Sequence, residues 1–399
     1  MQIFLQVHCG AGASIPESMI YADHNATAPM RPEAREAMLS ALDLGATNPS
    51  SVHTKGRAAR AVVEIARMQV GGAIGSRAAD VIFTGGGTES DALAVQGVVD
   101  ALEGRCTLIV SAIEHEAIAK SAAHSGAPVQ TAYVTAAGIV DLDDLRARMA
   151  NWDSEAHGIP VLCLMLANNE TGIIQPVAEA AAIVREAGGL TICDAVQALG
   201  KIPVNVGLLG VDYLSVSAHK IGGPQGVGAL WHRAGAPLKA ILYGGGQERS
   251  LRSGTENVAG IAGFGAAVEA AVRDLPKYAA LAKHRDAMEA RLKAEGDVVV
   301  IGEESPRLAG TSNFARAGFR AETQVMALDL AGVCVSAGSA CSSGKVKRSL
   351  VLMAMGASDA LAESAIRTSF GWNSEPADFD GVANAWLEAA RRTVLKEKV

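Results

Sequence analysis

Lys220 ends the run Ser217-Ala-His-Lys220, which follows the apolar stretch Val211-Asp-Tyr-Leu-Ser-Val216 and precedes the glycine-rich Ile221-Gly-Gly-Pro-Gln-Gly-Val-Gly228. A lysine there stands where a strand stops and the backbone turns, the end of a sheet at which α/β proteins bind ligands. Partly desolvated, it suits Schiff-base chemistry; fully solvated, it is an ordinary surface charge. Three more groups stand at comparable places. Gly85-Gly-Gly-Thr-Glu-Ser90 follows the strand Val81-Ile-Phe-Thr84 and opens a helix. It is either a phosphate cradle, with Thr88 adding a hydroxyl, or a glycine turn with Thr88 as a plain N-cap. Neither the Walker loop nor the dinucleotide fingerprint fits it. Glu114-His115 follows Thr107-Leu-Ile-Val110 and offers an imidazole, or simply a hydrogen-bonded surface histidine. Asp194, in Asp194-Ala-Val-Gln197 after Leu190-Thr-Ile-Cys193, puts a carboxylate at the end of a buried strand, which calls for a cation.

Together these supply a cradle for a phosphate, a flat imidazole, a carboxylate for a ring nitrogen and an amine for an aldehyde. Pyridoxal phosphate needs each of them.

The elements that must position these groups alternate in a βαβ rhythm. Helical spacing is predicted over 57–74, 88–102 and 177–187, and short apolar strands over 81–84, 107–110, 129–134, 161–166, 190–193, 211–216 and 227–231. That is the pattern of a mostly parallel sheet covered on both faces. After Tyr243-Gly-Gly-Gly-Gln-Glu-Arg-Ser-Leu-Arg-Ser-Gly254 a long Ala-rich helical region is predicted, 255–295, broken at Pro276. Beyond it short strands (298–301, 312–315, 333–336, 366–370) mix with helices. The fold class is therefore α/β, a large cofactor-binding domain over 20–275, whose first fifteen or so residues are expected to pack with the small domain, and a smaller α+β domain over 276–399. Residues 1–19 read as an N-terminal extension without stable order, since the opening lacks the basic region of a signal peptide and Met19 offers a second start.

A net charge of −7 and a sequence with no long basic block argue against nucleic acid as a partner. No segment reaches membrane-spanning length. The six cysteines form no C-x-x-C pair, which fits a reducing, cytoplasmic setting and no resident metal. Cys163, Cys193 and Cys334 lie in apolar strand-like runs and read as buried thiols. Cys341 differs: Ser336-Ala-Gly-Ser-Ala-Cys-Ser-Ser-Gly344 is a run of small residues, as expected of an exposed, mobile loop.

Read in order, Tyr21-Ala-Asp-His-Asn-Ala-Thr27, Asn48-Pro-Ser-Ser-Val-His53, the 85–91 loop, Glu114-His115, Asn168-Asn-Glu-Thr-Gly172, Asp194–Gln197, Ser217–Lys220, Arg252-Ser-Gly-Thr-Glu-Asn257 and Ser339-Ala-Cys341 closely resemble the motifs of cysteine desulfurases. These are the NifS/IscS type within the class V aminotransferase family of pyridoxal-phosphate enzymes, and the likeness covers about residues 20–380. It implies a fold-type I enzyme with a mostly parallel seven-stranded sheet in the large domain and the mobile cysteine loop on the small one. By the same resemblance Lys220 takes the cofactor's aldehyde and later moves the substrate Cα proton. Asp194 pairs with the pyridine nitrogen, Gln197 bonds the phenolic oxygen, and His115 stacks on the ring and joins in proton transfer. Gly87, Thr88, Ser217, Ala218 and His219 line the phosphate site. Thr255 reaches the phosphate of a partner subunit, which implies a homodimer. Asn169 lies beside ring and substrate, and Arg367 grips the substrate carboxylate.

The implied reaction converts L-cysteine to L-alanine. The Cys341 thiolate takes the sulfur as a persulfide and passes it to an acceptor or iron–sulfur scaffold protein. Cys341 is also a transient iron–sulfur ligand at most. Selenocysteine lyase activity, or sulfur supply for tRNA or cofactor thiolation, is the alternative. The chain departs from the family pattern at His24 and Ala28, and in the basic run Lys345-Val-Lys-Arg348 after the cysteine.

Overall fold

The computed structural model describes residues 19–46, 48–338 and 348–396. All of the expected extension except Met19 lies outside the described residues, and so does Cys341.

Seven strands form the central sheet: β1 (Val81–Thr84), β2 (Cys106–Ser111), β3 (Val129–Ala132), β4 (Ile159–Cys163), β5 (Leu190–Asp194), β6 (Tyr213–Ser217) and β7 (Gly228–His232). Their spatial order is β1-β7-β6-β5-β4-β2-β3. Every pairing is parallel except those of β7, which runs against both β1 and β6. Successive residues of a strand face opposite sides of the sheet. Ile109, Leu162, Cys193 and Leu214 accordingly join one apolar core, while Leu108, Val161, Ile192 and Tyr213 join another on the opposite face. Strands buried on both faces have no polar side to show, which is why these runs are almost continuously apolar.

Because six strands run the same way, the C-terminal ends of β1, β2, β4, β5 and β6 open on one edge. The loops carrying the 85–87 glycines, His115, Asn169, Asp194 and Lys220 all start there.

The C-terminal third builds a second core around Phe314, Phe370, Phe379 and Trp386. Its sheet places Thr311–Ala315 between Val299–Val300 and Ala365–Ser369, with Ser336–Ala337 on the outer side of the latter. The helices Ala282–Gly296 and Pro376–Lys396 pack together over it. Ala22 belongs to this second core, and Ile20–Tyr21 pairs in parallel with Val333–Cys334. The segment 20–31 thus crosses between the two cores before entering the helix Pro32–Asp43, which opens on a proline suited to a first helical turn.

Three expectations need correction. The expected strand 333–336 is two: Val333–Cys334 joins Ile20–Tyr21, whereas Ser336–Ala337 pairs with Ala365–Ser369, the chain changing sheets at Val335. The break expected at Pro276 falls two residues earlier, at Asp274, and Pro276 sits in the first turn of Leu275–Ala279, where its missing N–H costs nothing; a second interruption follows at Ala280 and Leu281. Cys334 is half-exposed rather than buried, its Sγ 3.3 Å from Met19 Sδ, because its strand lies in a two-stranded sheet. Cys163 and Cys193 are fully buried, as expected.

Candidate active site

The β1 loop leads directly into the helix Gly87–Ala101. Its N-cap is Gly86, at φ 148°, and Thr88 lies inside the first turn, exposed, so the reading of Thr88 as a plain N-cap does not hold. The glycines are required by close approach. A Cβ on Gly87 would stand 2.9 Å from Val196 Cγ2, and one on Gly228 would stand 2.6 Å from the backbone carbon of Gly86. Glu89 steadies the loop: its carboxylate accepts from Gly85 N at 2.8 Å and from Arg252 Nε at 2.7 Å. Across from the helix start, the Ser217 hydroxyl is buried and has no hydrogen-bond partner. A buried hydroxyl left unsatisfied beside a helix N-terminus fits an anion such as a phosphate group.

At the end of β6, residues Ala218–Lys220 form one tight turn. Ala218 is buried and its N–H is taken by Val227 O, so it shapes the turn rather than offering a donor. His219 places Nδ1 3.2 Å from Thr27 Oγ1. Burial and the nearby charges of Lys220 and Lys201 push its imidazole down to about 4, so it is neutral at pH 7. Lys220 Nζ donates to the carbonyl oxygens of Asn25 at 2.7 Å and Ala26 at 2.8 Å. Burial and the Arg367 charge bring its amine down to about 8, against the opposing pull of Asp194 and Asp23. A lysine so placed is a usable base and nucleophile near neutral pH.

Asp194, at the end of β5, is buried, and Oδ1 accepts from Val196 N at 2.8 Å. It forms no ion pair among the described residues. Burial raises its carboxyl, while the backbone bond, His115 and Lys220 pull the other way. Two further carboxyls crowd it. Asp91 is buried and accepts from Ser215 Oγ, and Glu114 accepts from Met165 N at 2.7 Å while its Oε2 is buried and unpartnered. Burial together with the Asp194 charge pushes both well above the ordinary carboxylate range. His115 is exposed and caps the helix Glu116–His124, Nδ1 accepting from Ala117 N at 3.1 Å. That bond fixes the tautomer of the neutral ring, with the proton on Nε2.

Arg367, on Ala365–Ser369, is buried and brought here from the second core. Its guanidinium donates to Asp23 Oδ1 at 2.7 Å and to Asn169 O at 3.1 Å, and Nε is buried without a partner. Asp23 in turn accepts from Ser336 Oγ at 2.8 Å. Gln197 is buried and donates to Asn25 O at 2.9 Å. Thr255 is exposed and makes no hydrogen bond to these groups among the described residues.

Lys220, Asp194, Ser217, Gln197, Asn169 and Arg367 therefore share one neighbourhood with His115 and the 85–88 loop. Asp23, Asn25, Asp91, Lys201 and Glu170 belong to it too, and sequence reasoning assigned them no role. Asp23, Asn25, Asp91 and Glu170 lie inside quoted motifs, which was the available signal. Lys201 follows Ala-Leu-Gly in an apolar run and carries no signal at all.

The donor set fits pyridoxal phosphate: an orphaned hydroxyl at a helix start, a buried carboxyl, and a lysine whose amine is lowered by burial. The described residues contain no group of three His, Cys, Asp or Glu side chains able to hold a metal.

Comparison with known proteins agrees with this chemistry. The model of the aminotransferase class-V family matches residues 20–382. An IscS-like cysteine desulfurase of Mycobacterium tuberculosis is 40% identical, covering 94% of this chain and 98% of the relative. A cysteine desulfurase IscS of Dictyoglomus turgidum is also 40% identical, over 94% of this chain and 95% of its own. The solved NifS-like protein of Rickettsia africae superposes with a TM-score of 0.86 at 32% identity, covering 94% of this chain and all of that one. With the strand-end lysine, the aspartate and the glycine loop all in place, the chain belongs to the class-V aminotransferase family, among its cysteine desulfurases of the NifS/IscS type.

Proposed function

We propose that this enzyme converts L-cysteine to L-alanine and carries the removed sulfur on Cys341. The observation that carries the reading is Arg367, a buried arginine with an unpartnered Nε–H, close enough to Lys220 to lower its amine. An amino-acid substrate needs both, a guanidinium for its carboxylate and a base for its Cα proton.

Pyridoxal phosphate, the cofactor of the family, supplies an aldehyde for the substrate amine and a ring that accepts electron density. Gly87, Thr88, Ser217 and His219 would hold its phosphate, Asp194 its ring nitrogen, Gln197 its phenolic oxygen and His115 its face. Lys220 Nζ takes the Cα proton. The neutral amine needed for this is present in quantity near pH 8 and falls away below it. Arg367 and Asn169 orient the substrate. The Cys341 thiolate then attacks the substrate sulfur: an S–S bond forms, the Cβ–S bond breaks, and its electron pair stays with the carbon fragment, which gains protons and leaves as L-alanine. Cysteine and a thiol become alanine and a persulfide, with no outside oxidant or reductant.

Two units are part of the proposal: residues 20–275 hold the cofactor, and 276–399 carry Cys341. Their separate apolar cores support that division. Exposed Thr255, with exposed Val52, Leu242 and Tyr243, supports a homodimer in which each chain completes the other's site. The sulfur would go to an iron–sulfur scaffold protein in the cytoplasm. Among the described residues no helix is long and apolar enough to cross a membrane. Parallel assays with L-cysteine and L-selenocysteine test the reading. Alanine from L-cysteine with sulfide release under reductant is expected, whereas turnover of L-selenocysteine alone would favour a selenocysteine lyase.

A further inference from the structure

Behind Lys220 lies a second buried lysine that the reaction does not use. Lys201 Nζ donates to Asn25 Oδ1 and to Gln197 Oε1, both at 2.7 Å. Which atom of each amide is oxygen and which is nitrogen follows from their other contacts. Gln197 Nε2 meets Asn25 O, and Asn25 Nδ2 meets Asn169 O at 3.2 Å. Backbone carbonyls only accept, so the atoms facing them must be the NH2 groups. Both amide oxygens consequently point at Lys201. An amine carries at least two N–H bonds whether protonated or neutral, and so satisfies both.

Asn25 Nδ2 also lies 3.1 Å from Thr311 Oγ1, and Asn25 O takes the Lys220 bond as well. One buried amine thus holds the two amides that border the reactive lysine. Removing it would leave two buried oxygens unsatisfied and free both amides to turn over.

We infer that Lys201 is a positioning residue: by fixing the Gln197 amide with its oxygen inward, it keeps an N–H of Gln197 available to the cofactor's phenolic oxygen. This rests on the proposed role of Gln197 toward that oxygen. Nε2 has two N–H bonds and spends one on Asn25 O, leaving one to offer. The charged and titratable groups around Lys201 are Lys220 and Arg367, which with burial lower its amine well below the ordinary value, and His24 and His219, which feel its charge. Asp194 and Asp23 act from the Lys220 side.

The test is the pH midpoint of the bound cofactor's visible absorbance in the holoenzyme, alongside KM and kcat. A donor to the phenolic oxygen favours loss of the proton that the cofactor shares with Lys220, so removing the donor raises the midpoint. Gln197→Ala is expected to raise it by about half to one pH unit, the worth of a single hydrogen bond. Lys201→Met should raise it by no more than that, and the double variant should match Gln197→Ala alone. Lys201→Gln keeps N–H donors without the charge and should fall nearer wild type than Gln197→Ala does. That variant decides the matter should Lys201→Met fail to fold.

A shift in Gln197→Ala with none in Lys201→Met, or Lys201→Gln at the Gln197→Ala value, would overturn the inference and leave the role of Gln197 standing. No shift in Gln197→Ala would remove both. Additive shifts in the double variant would show that Lys201 acts by charge alone, and would also overturn it.

Discussion

Lys220 and Asp194 are legible in the sequence because a charged residue closing an apolar run is chemically conspicuous. The partners that tune them are not. Lys220 rests on the backbone of Asn25, and Lys201 on the side chain of Asn25, nearly two hundred residues away in the chain. No local pattern reports such a contact. The surroundings of Asp194 are equally hidden: the strand-end turn supplies it a backbone N–H, and the carboxyls of Asp91 and Glu114 gather beside it. The lowered Lys220 amine gives a test that needs no cofactor. Competitive acetylation of the apoprotein, read by mass spectrometry across pH, should place its midpoint at about 8 rather than 10.5. A midpoint above 10 would contradict the desolvated environment. The linkage to stability has a definite sign. Below pH 8 both folded and unfolded chains hold the proton, so the penalty of burying the charge is fully present. Between 8 and 10.5 the unfolded chain binds more protons, and this contribution to stability improves as pH rises.

At the scale of elements, the periodicity of buried strands locates the sheet well and its ends less well. β4 begins at Ile159 and stops at Cys163, two residues before and three before the expected limits of 161 and 166. The apolar run outlasts the strand because Leu164, Met165 and Leu166 stay buried, Leu164 N and Leu166 N still donating to Ile192 O and Asp194 O of β5. One element-level device is invisible in the sequence. β1 is an edge strand, and its exposed backbone is covered from the segment 248–250, three consecutive residues at positive φ (46°, 57° and 65°). Glu248 accepts from Phe83 N at 3.0 Å and from Arg67 at 2.6 and 2.8 Å, while Arg67 and Arg249 donate to Val81 O. Edge strands need such cover, and this one carries the glycine loop at 85–87. Glu248→Gln would leave the buried Arg67 charge with only the more exposed Glu64 as its ionic partner, at a cost of about 2–3 kcal/mol. Urea unfolding of the apoprotein measures it, and a loss below about 1 kcal/mol would show that the pair is solvated in solution.

Across the whole molecule, the rhythm of alternating strands and helices, and the change of character beyond residue 275, make the α/β class and a second core legible from sequence. How the two cores meet is legible only in the expected packing of the first residues of the large domain with the small one. Segment 20–31 precedes the first core in the chain yet pairs with the second, and Arg367 crosses from the second core to meet Asp23 and Asn169 near Lys220. Such a junction depends on tertiary packing rather than on any local preference. The role proposed for Thr255 implies a further level of assembly. Sedimentation of the holoenzyme should give twice the mass of the chain, and Thr255→Ala should weaken cofactor retention without lowering the melting temperature of the apoprotein. A monomer that holds its cofactor fully would contradict the shared site.

The central claim is that sulfur leaves L-cysteine onto Cys341. A single turnover with sulfur-labelled L-cysteine, followed by peptide mapping without reductant, tests it directly. The label should lie on the peptide containing Cys341, be released by a thiol reductant, and vanish in Cys341→Ala together with alanine formation while the cofactor absorbance persists. Label on Cys334 or another cysteine, or alanine formed by Cys341→Ala at the wild-type rate, would contradict the account.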